Sequence, residues 1–282
     1  MTKRLFIFGL GYSGLEIAKL AMAAGWSVAG TVTGMDKAGR LAGDGIETHR
    51  FDGTAPFATR TLEEASHVLC TIAPGTTGDP ALRSSAALLR QARWLGYLST
   101  TGVYGDHGGG WVDETTPPRP DQPRSIERLA AERAWQALGA TVLRLPGIYG
   151  PGRSAIDRVR AGTALRIDKP GQVFSRIHVE DIATAVLAAM TRSSPGAVYN
   201  VADDLPASNS DVIAYACGLL GLPVPAVIGW DEAAPTMSAM ARSFYAENRR
   251  VRNDRLKHDL GVALRYPTYR EGLRAIAALP GD

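Results

Sequence analysis

The glycine-rich segment Gly9-Leu10-Gly11-Tyr12-Ser13-Gly14 constrains the fold more than any other part of this sequence. It follows the apolar run Arg4–Phe8 and precedes a helical pattern over residues 12–24. A second apolar run, Ser27–Val32, comes after that helix. The order strand, glycine loop, helix, strand predicts a βαβ unit with parallel strands and a right-handed crossover.

The three glycines have different tasks in a loop of this kind. Gly9 permits the tight turn, Gly11 lets the backbone approach a pyrophosphate, and Gly14 lets the helix pack closely on the strand. The N–H groups around Tyr12 and Ser13 open the helix, where the positive end of the helix dipole favours phosphate. We therefore predict that these five residues bind a dinucleotide.

Apolar runs and amphipathic stretches continue to alternate along the first half of the chain. We predict further strands at Ile46–Arg50, His67–Ile72, Trp94–Ser99 and Thr141–Leu145, and helices at about Pro80–Arg93 and Glu127–Leu138. This alternation predicts an α/β fold with a Rossmann-type, doubly wound parallel sheet. The strands are apolar along their whole length, as expected for a sheet covered on both faces.

The regular alternation of predicted strands and helices ends at the turn-rich segment 146–152. Beyond it we predict a strand at Val198–Val201 and helices at Val179–Met190, Ser210–Leu220 and near Tyr269–Leu279. We assign residues 1–150 and about 171–204 to a dinucleotide-binding Rossmann domain, and about 151–170 and 205–282 to a small C-terminal substrate lobe.

Composition excludes several classes of function. The 282 residues are 45% hydrophobic and 21% charged, which is enough to bury a large core and argues against disorder. A net charge of +3 without a recognition motif gives no reason to expect a nucleic-acid partner. The 2 cysteines and 5 histidines lack metal-ligand spacing, so we expect no metal site. No apolar run approaches the ~18 residues of a membrane helix, so we expect a cytoplasmic protein without membrane contact.

The end of the second strand distinguishes NAD from NADP. An acidic residue there would bind the ribose 2′-hydroxyl and repel a 2′-phosphate, but the chain reads Thr31-Val32-Thr33-Gly34. The hydroxyl of Thr33 and the following cations Lys37 and Arg40 suit a 2′-phosphate. We therefore predict NADP as the preferred cofactor and NAD as the alternative. The competing interpretation is that Lys37 and Arg40 form a solvated helix face.

Four further motifs accompany the glycine loop. They are Ser99-Thr100-Thr101-Gly102-Val103-Tyr104-Gly105, Pro146-Gly147-Ile148-Tyr149-Gly150, Ile177-His178-Val179-Glu180-Asp181-Ile182-Ala183 and Tyr199-Asn200-Val201. Together these motifs resemble the extended short-chain dehydrogenase/reductases, the NAD-dependent epimerase/dehydratase group, over nearly the whole chain. The resemblance implies a small-molecule substrate and a homodimer formed through helices on one face of the sheet.

The resemblance also implies roles for residues at the carboxyl ends of the predicted strands, where doubly wound sheets bind ligands. The implied cofactor contacts are Asp52, Thr71, Ile72, Ala73, Pro74, Ser99, Pro146, Gly147 and Ile148. Thr100 matches the catalytic Ser/Thr of the family. Arg153 and Arg176 lie in the region where relatives bind substrate phosphates, so an anionic substrate is expected, with surface charge as the alternative.

The catalytic Tyr-x-x-x-Lys pair of the family is absent. Aligning on Leu129–Glu132 puts Arg128 at the Lys position and Arg124 at the Tyr position. Arg128 keeps the positive charge and is predicted to bind ribose hydroxyls, whereas Arg124 cannot exchange protons because a guanidinium stays charged. The candidates for a replacement proton donor are Tyr104, Asp106, His107, Glu114 and His178, and we include Tyr104 with Thr100 and Arg128 in the predicted catalytic set.

Two hypotheses for function follow. The first is an NAD(P)-binding, epimerase/dehydratase-like oxidoreductase of atypical type, acting on a small sugar-like or carbonyl substrate. The second is a non-catalytic dinucleotide-binding sensor or regulatory protein. Loss of the Tyr and the Lys together favours the second, whereas Thr100 and the long, pocket-building C-terminal part favour an enzyme.

Overall fold

The computed structural model describes residues 3–280, apart from the side chains of residues 35–37. Strands β1 to β13 are Arg4–Phe8, Ser27–Val32, Glu47–Arg50, His67–Cys70, Trp94–Thr100, Trp111–Val112, Thr141–Leu145, Gly147–Tyr149, Arg166–Asp168, Arg176–His178, Val198–Asn200, Val227–Gly229 and Arg250–Val251. Helices α1 to α12 are Tyr12–Ala23, Met35–Gly43, Arg60–Glu63, Pro80–Leu89, Pro123–Gln136, Ala155–Arg160, Val179–Arg192, Asn209–Leu220, Trp230–Ala233, Ala239–Tyr245, Asp254–Leu260 and Tyr269–Ala277. Two short 3₁₀ helices lie at Thr101–Tyr104 and Ala234–Thr236.

Seven parallel strands form the central sheet, in the order β11-β7-β5-β4-β1-β2-β3. The chain runs outward from β1 to β3 and then crosses back to β4 on the other side of β1. The direction of winding reverses between β1 and β4, so the carboxyl ends of these strands open the crevice in which such sheets bind ligands. The predicted doubly wound α/β fold is confirmed.

Side chains of the sheet alternate between two apolar layers. Leu5 and Ile7 of β1 pack with α1 and α7 on one face, whereas Phe6 and Phe8 pack with Trp135 of α5 on the other. Both layers are almost completely buried, which explains why the strands read as continuous apolar runs.

Several predicted element ends differ from the structure. β4 ends at Cys70, not at residue 72, because the Thr71 hydroxyl bonds the carbonyls of Phe8 and Gly9 as the chain leaves the sheet. Helix α5 begins at Pro123, four residues before the predicted start, because proline is favoured in a first helical turn. Helices α2, α3, α6, α9, α10 and α11 lie outside the predicted helices, because each is short or rich in charged residues.

The C-terminal lobe has its own apolar core. Helices α6, α8 and α12 pack around Ile156, Ile213 and Leu273. The chain then returns to the Rossmann body, because Leu256 and Leu260 of α11 belong to the core of the sheet. The domain limits remain a prediction. Because α11 packs on the sheet, part of the segment 205–282, which was assigned to the lobe, lies against the Rossmann domain. None of the helices described here is long and apolar enough to cross a membrane.

A buried ion pair fastens α5 to β7. Arg144 Nη2 lies 2.5 Å from Glu132 Oε1, with the side chains 5% and 1% exposed. Glu132 also accepts a hydrogen bond from Ser99 Oγ at 2.7 Å, and the Arg144 guanidinium lies 4.8 Å from the ring centre of Tyr104. The pair therefore fixes α5 relative to the carboxyl end of β5.

We expect Glu132→Gln to lower the free energy of unfolding by about 3–5 kcal/mol, because it leaves the Arg144 charge buried without a counter-ion. Urea unfolding followed by circular dichroism measures the change. The matched control is Asp259→Asn, which breaks the exposed Arg255–Asp259 pair and is expected to cost less than about 1 kcal/mol. Equal losses in the two variants would contradict a structural role for the buried pair.

Candidate functional site

The glycine loop is held by residues from β2 and from the end of β4, the two strands on either side of β1. Gly9 adopts a φ of +94°, which favours glycine, and its N–H donates to Thr31 Oγ1 at 2.8 Å. Its carbonyl accepts from Thr71 Oγ1 at 2.6 Å. Residues after β1 and β4 and within β2 therefore fix the turn at the crevice.

Gly14 is packed tightly against the protein backbone, whereas Gly11 borders open space. A Cβ on Gly14 would lie 2.2 Å from the Gly9 carbonyl oxygen, whereas a Cβ on Gly11 would have no atom within 4 Å. Gly11 is the N-cap of α1, and no side chain caps this end of the helix. The first N–H groups of α1 are thus available to an anionic ligand, which fits the pyrophosphate of a dinucleotide.

A groove of about 300 Å³ runs from this loop to the carboxyl ends of β5 and β7. We call it the glycine-loop groove. Its lining comprises Gly11, Tyr12, Ser13, Gly14, Thr71, Leu98, Ser99, Thr100, Arg128, Leu145, Pro146, Ile148 and Arg153. Ten of these thirteen residues are predicted cofactor contacts or catalytic residues, and an eleventh, Arg153, is a predicted substrate contact.

A larger cleft of about 1030 Å³ opens between the sheet and the C-terminal lobe. Thr100 and Arg128 line both this cleft and the glycine-loop groove. The predicted residues Ala73, Pro74, Gly147 and Arg176 line the cleft alone. The two cavities therefore meet at Thr100 and Arg128.

Thr100 and Arg128 are both held in place by the backbone. Thr100 Oγ1 accepts from the Gly102 N–H at 3.1 Å, which leaves its own hydrogen free to donate. Arg128 Nη1 donates to the Leu98 carbonyl at 3.0 Å and to the Tyr97 hydroxyl at 3.2 Å. A fixed hydroxyl and a fixed cation thus stand where the cavities join.

Other predicted residues line neither cavity. They are Gly9, Thr33, Arg40, Asp52, Ile72 and Tyr104. Thr33 and Arg40 are exposed beyond the end of β2, and the side chain of Lys37 lies outside the described residues. Asp52 is exposed and accepts bonds from Thr54, which lower its pKa.

Two candidate proton donors are buried away from the cleft. The Tyr104 hydroxyl donates to Asn200 Oδ1 at 2.8 Å, and burial raises its pKa. His178 Nδ1 accepts from the Glu180 N–H at 3.3 Å, and burial together with Arg265 lowers its pKa to about 4. His178 is therefore neutral at pH 7.

The other three candidates also lie outside both cavities. Asp106 accepts from the Asn248 N–H at 2.7 Å, and His107 Nε2 lies 3.2 Å from the Tyr104 carbonyl. Glu114 accepts from the Asn200 N–H at 2.7 Å, and burial raises its pKa. Among the described residues there is no group of three His, Cys, Asp or Glu side chains that could hold a metal ion.

Arg124, which the family resemblance is predicted to place at the tyrosine position, lines the cleft. Its guanidinium lies 4.4 Å from the ring centre of Phe244 on α10, so it reaches toward the C-terminal lobe. The next residue, Ser125, also lines the cleft, and a Cβ on Gly102 would lie 2.8 Å from Ser125 Oγ and 3.3 Å from Thr100 Oγ1. The two hydroxyls therefore flank Gly102.

Sequence reasoning missed several cleft residues. They are Ser125, Arg158, Tyr245, Glu247 and Arg249. The position of Ser125 next to Arg124, in the predicted catalytic segment, is a signal that the sequence contains. The other four come from segments with no recognised motif, and only the packing of the lobe brings them to the cleft.

The profile of the NAD dependent epimerase/dehydratase family matches residues 72–202. The chain is similar to a solved structure of a functionally unknown conserved protein from Silicibacter pomeroyi DSS, with 48% identity, a TM-score of 0.89, and coverage of 98% of this chain and 99% of that chain. Protein YeeZ from Escherichia coli (strain K12) is 28% identical over 252 residues, covering 79% of this chain and 86% of YeeZ.

A further relative is the 3-diazoavenalumate denitrifying reductase of Streptomyces sp. It is 29% identical over 172 residues, which cover 58% of this chain and 55% of that protein. The profile match includes the ends of β5 and β7 and helix α5, which together form much of the junction between the cavities. The chain belongs to the NAD-dependent epimerase/dehydratase family, within the extended short-chain dehydrogenases/reductases.

Proposed function

We propose that this protein is an NAD(P)-dependent oxidoreductase of atypical type, acting on a small carbonyl or sugar-like substrate in the large cleft. The observation that carries the proposal is that Thr100 and Arg128 line both the glycine-loop groove and the cleft. A cofactor in the groove and a substrate in the cleft would meet there. The name of the Streptomyces relative, a reductase, supports hydride transfer as the chemistry.

Different residues of the groove bind different parts of the cofactor. The uncapped N-terminus of α1 binds the pyrophosphate, and Arg128 donates to ribose hydroxyls. Pro146 and Ile148 pack against the nicotinamide, which supplies or accepts the hydride when bound.

Thr100 and Ser125 hold the reacting oxygen of the substrate. Both hydroxyls flank Gly102 on the cleft wall, and Thr100 has its hydrogen free to donate. Arg124 and Arg128 add positive charge, which stabilises negative charge on that oxygen during hydride transfer. Because neither arginine gives up a proton, the oxygen takes its proton from water in the open cleft.

A non-catalytic dinucleotide sensor is the second candidate. The observation that favours it is that Tyr104, Asp106, His107, Glu114 and His178 all lie outside both cavities. The two functions differ in turnover: a sensor binds the dinucleotide tightly and consumes none with any substrate.

The variants Gly11→Ala and Gly14→Ala test two different roles of the glycine loop. The first role is the approach of the cofactor to the backbone, and the second is the packing of α1 against the end of β1. We expect Gly11→Ala to keep the unfolding midpoint and to weaken NADPH binding at least tenfold, because its methyl group fills the space of the pyrophosphate. Gly14→Ala is expected to lower the free energy of unfolding by about 1–3 kcal/mol, because its methyl group meets the Gly9 carbonyl. NADPH fluorescence titration and urea unfolding measure the two effects. Unchanged NADPH affinity in Gly11→Ala would contradict the assigned phosphate site.

Measurements of NADPH turnover and binding test the roles of Thr100 and Arg128, the residues at which the two cavities meet. NADPH absorbance is followed with a panel of carbonyl and sugar-like compounds. For any compound reduced by the native chain, we expect Thr100→Val to lower kcat about 10–100-fold, because the reacting oxygen loses a hydrogen-bond donor. Arg128→Ala should raise the Kd of NADPH, whereas the control Arg133→Ala, exposed on the same helix, should not.

Tight NADPH binding with no turnover across the panel would favour the sensor. Failure of both dinucleotides to bind would exclude both candidate functions.

We propose NADP as the preferred cofactor, supported by the absence of an acidic residue in the described strand β2 and its exit Thr33. We expect Arg40→Ala, alone or with Lys37→Ala, to lower the ratio of NADP to NAD affinity about tenfold, since a 2′-phosphate loses its cations. Arg60→Ala, at an exposed position of helix α3, is the control. An unchanged ratio would refute this preference.

A further inference from the structure

Alternate residues of the segment 247–251 face the cleft. Glu247, Arg249 and Val251 line it, whereas Asn248 and Arg250 do not. Instead, Asn248 Nδ2 and Arg250 Nη1 donate to backbone carbonyls of residues outside the cleft lining. This alternation is that of an extended chain, in which successive side chains point to opposite sides. The side chain of Glu247 is therefore directed to the cleft.

The carboxylate of Glu247 has one oxygen without a partner. Glu247 Oε2 accepts from Arg249 Nη1 at 2.6 Å, and the Glu247 side chain is 7% exposed. Glu247 Oε1 is buried, and no described residue donates a hydrogen bond to it. A buried acceptor without a donor is costly, so a ligand that supplies the donor gains affinity at this position.

Glu247 differs from the other buried side chains that have an unpartnered polar atom. Of the described residues with such an atom, only Glu247 lines a cavity. The others, which include His178, Asn200 and Asp203, line neither the cleft nor the glycine-loop groove. Glu247 is therefore the member of this set that borders space for a substrate.

Hydrogen bonds of the backbone fix the position of Glu247 without its carboxylate. Gln172 Nε2 donates to the Glu247 carbonyl at 2.9 Å. The next residue, Asn248, donates its N–H to Asp106 Oδ1 at 2.7 Å. A change confined to the carboxyl group of Glu247 leaves these bonds in place.

The ion pair of Glu247 and Arg249 is tied to the loop that follows Thr100. Arg249 Nη1 also donates to the Gly105 carbonyl at 2.6 Å. One short 3₁₀ helix, Thr101–Tyr104, separates Gly105 from Thr100. The hydroxyl of Thr100 and the carboxylate of Glu247 therefore border the same cleft on one connected piece of wall.

The charge of the pair determines which kind of donor fits. The positive charge of Arg249 balances the carboxylate, so the pair has no net charge with which to attract a cation. A carboxylate oxygen only accepts hydrogen bonds, and it repels anionic groups. A neutral hydroxyl or N–H group is therefore the partner that fits Glu247 Oε1, in a charge-assisted hydrogen bond.

We propose that Glu247 is a specificity-determining residue of the cleft, whose Oε1 accepts a hydrogen bond from a neutral hydroxyl or N–H group of the substrate. The inference rests on the proposed function, because it requires that the substrate occupies the cleft. A site built around such a bond rejects an analogue without the donor, since the buried oxygen then stays unpaired.

Isothermal titration of the full chain, saturated with NADP, tests the proposal with matched probes. The probes are hydroxyketones and acetamidoketones of increasing chain length, each paired with its O-methyl or N-methyl derivative, which lacks the donor. At least one donor probe is expected to bind the native chain at least tenfold more tightly than its methylated derivative. Tighter binding of the hydroxyketones or of the acetamidoketones identifies the substrate donor as a hydroxyl or as an N–H group.

Glu247→Gln should abolish this preference, because the amide oxygen stays with Arg249 while the amide nitrogen, a donor, replaces Oε1. The matched control is Glu180→Gln. Glu180 Oε2 also lies 2.6 Å from an arginine nitrogen, Arg265 Nη1, but Glu180 lines neither cavity. This control variant should keep the native preference.

Two outcomes overturn the proposal. In the first, no donor probe binds the native chain more tightly than its methylated derivative, the absence of any binding included. This outcome needs no variant, so it decides the matter even where Glu247→Gln fails to fold. In the second, folded Glu247→Gln keeps the native preference for donor probes.

The same titrations without NADP, together with NADPH binding and turnover, distinguish this proposal from the proposed function. A donor preference that depends on Glu247, in a chain that binds no dinucleotide, supports the role of Glu247 and refutes the oxidoreductase. NADPH turnover at equal kcat/KM with each donor probe and its methylated derivative supports the oxidoreductase and overturns the role of Glu247.

Discussion

The contact between Gly14 and the Gly9 carbonyl is the constraint on which the site depends. Because Gly14 has no side chain, α1 begins against the end of β1, and its uncapped N-terminus lies at the switch point between β1 and β4. Hydroxyls of Thr31 and Thr71 hold the loop in that place. The groove, its junction with the cleft and the proposed chemistry all follow from this placement.

The parts of the site that the sequence predicted lie at strand ends. Thr71, Ser99 and Pro146 line the groove because the order of parallel strands brings their carboxyl ends to one edge of the sheet. Arg158 and Tyr245 could not be predicted in the same way. They belong to α6 and α10, whose approach to the cleft depends on how the lobe packs against the sheet.

In the proposed function, the two arginines on α5 change the chemistry of the site without removing its positive charge. Arg128 is fixed by the Leu98 carbonyl, and the buried pair of Glu132 and Arg144 holds the helix that carries it. Arg124 turns toward Phe244 and offers no proton. In the proposed function, the site therefore keeps binding and electrostatic stabilisation, while proton transfer passes to solvent.

A crystal structure of the protein with NADP bound tests the central claim most directly. The account predicts that the nicotinamide C4 lies at the junction of the groove and the cleft, within contact distance of Thr100, with the pyrophosphate on the N-terminus of α1. A nicotinamide ring turned away from the cleft, or a cofactor bound elsewhere on the chain, would contradict the account.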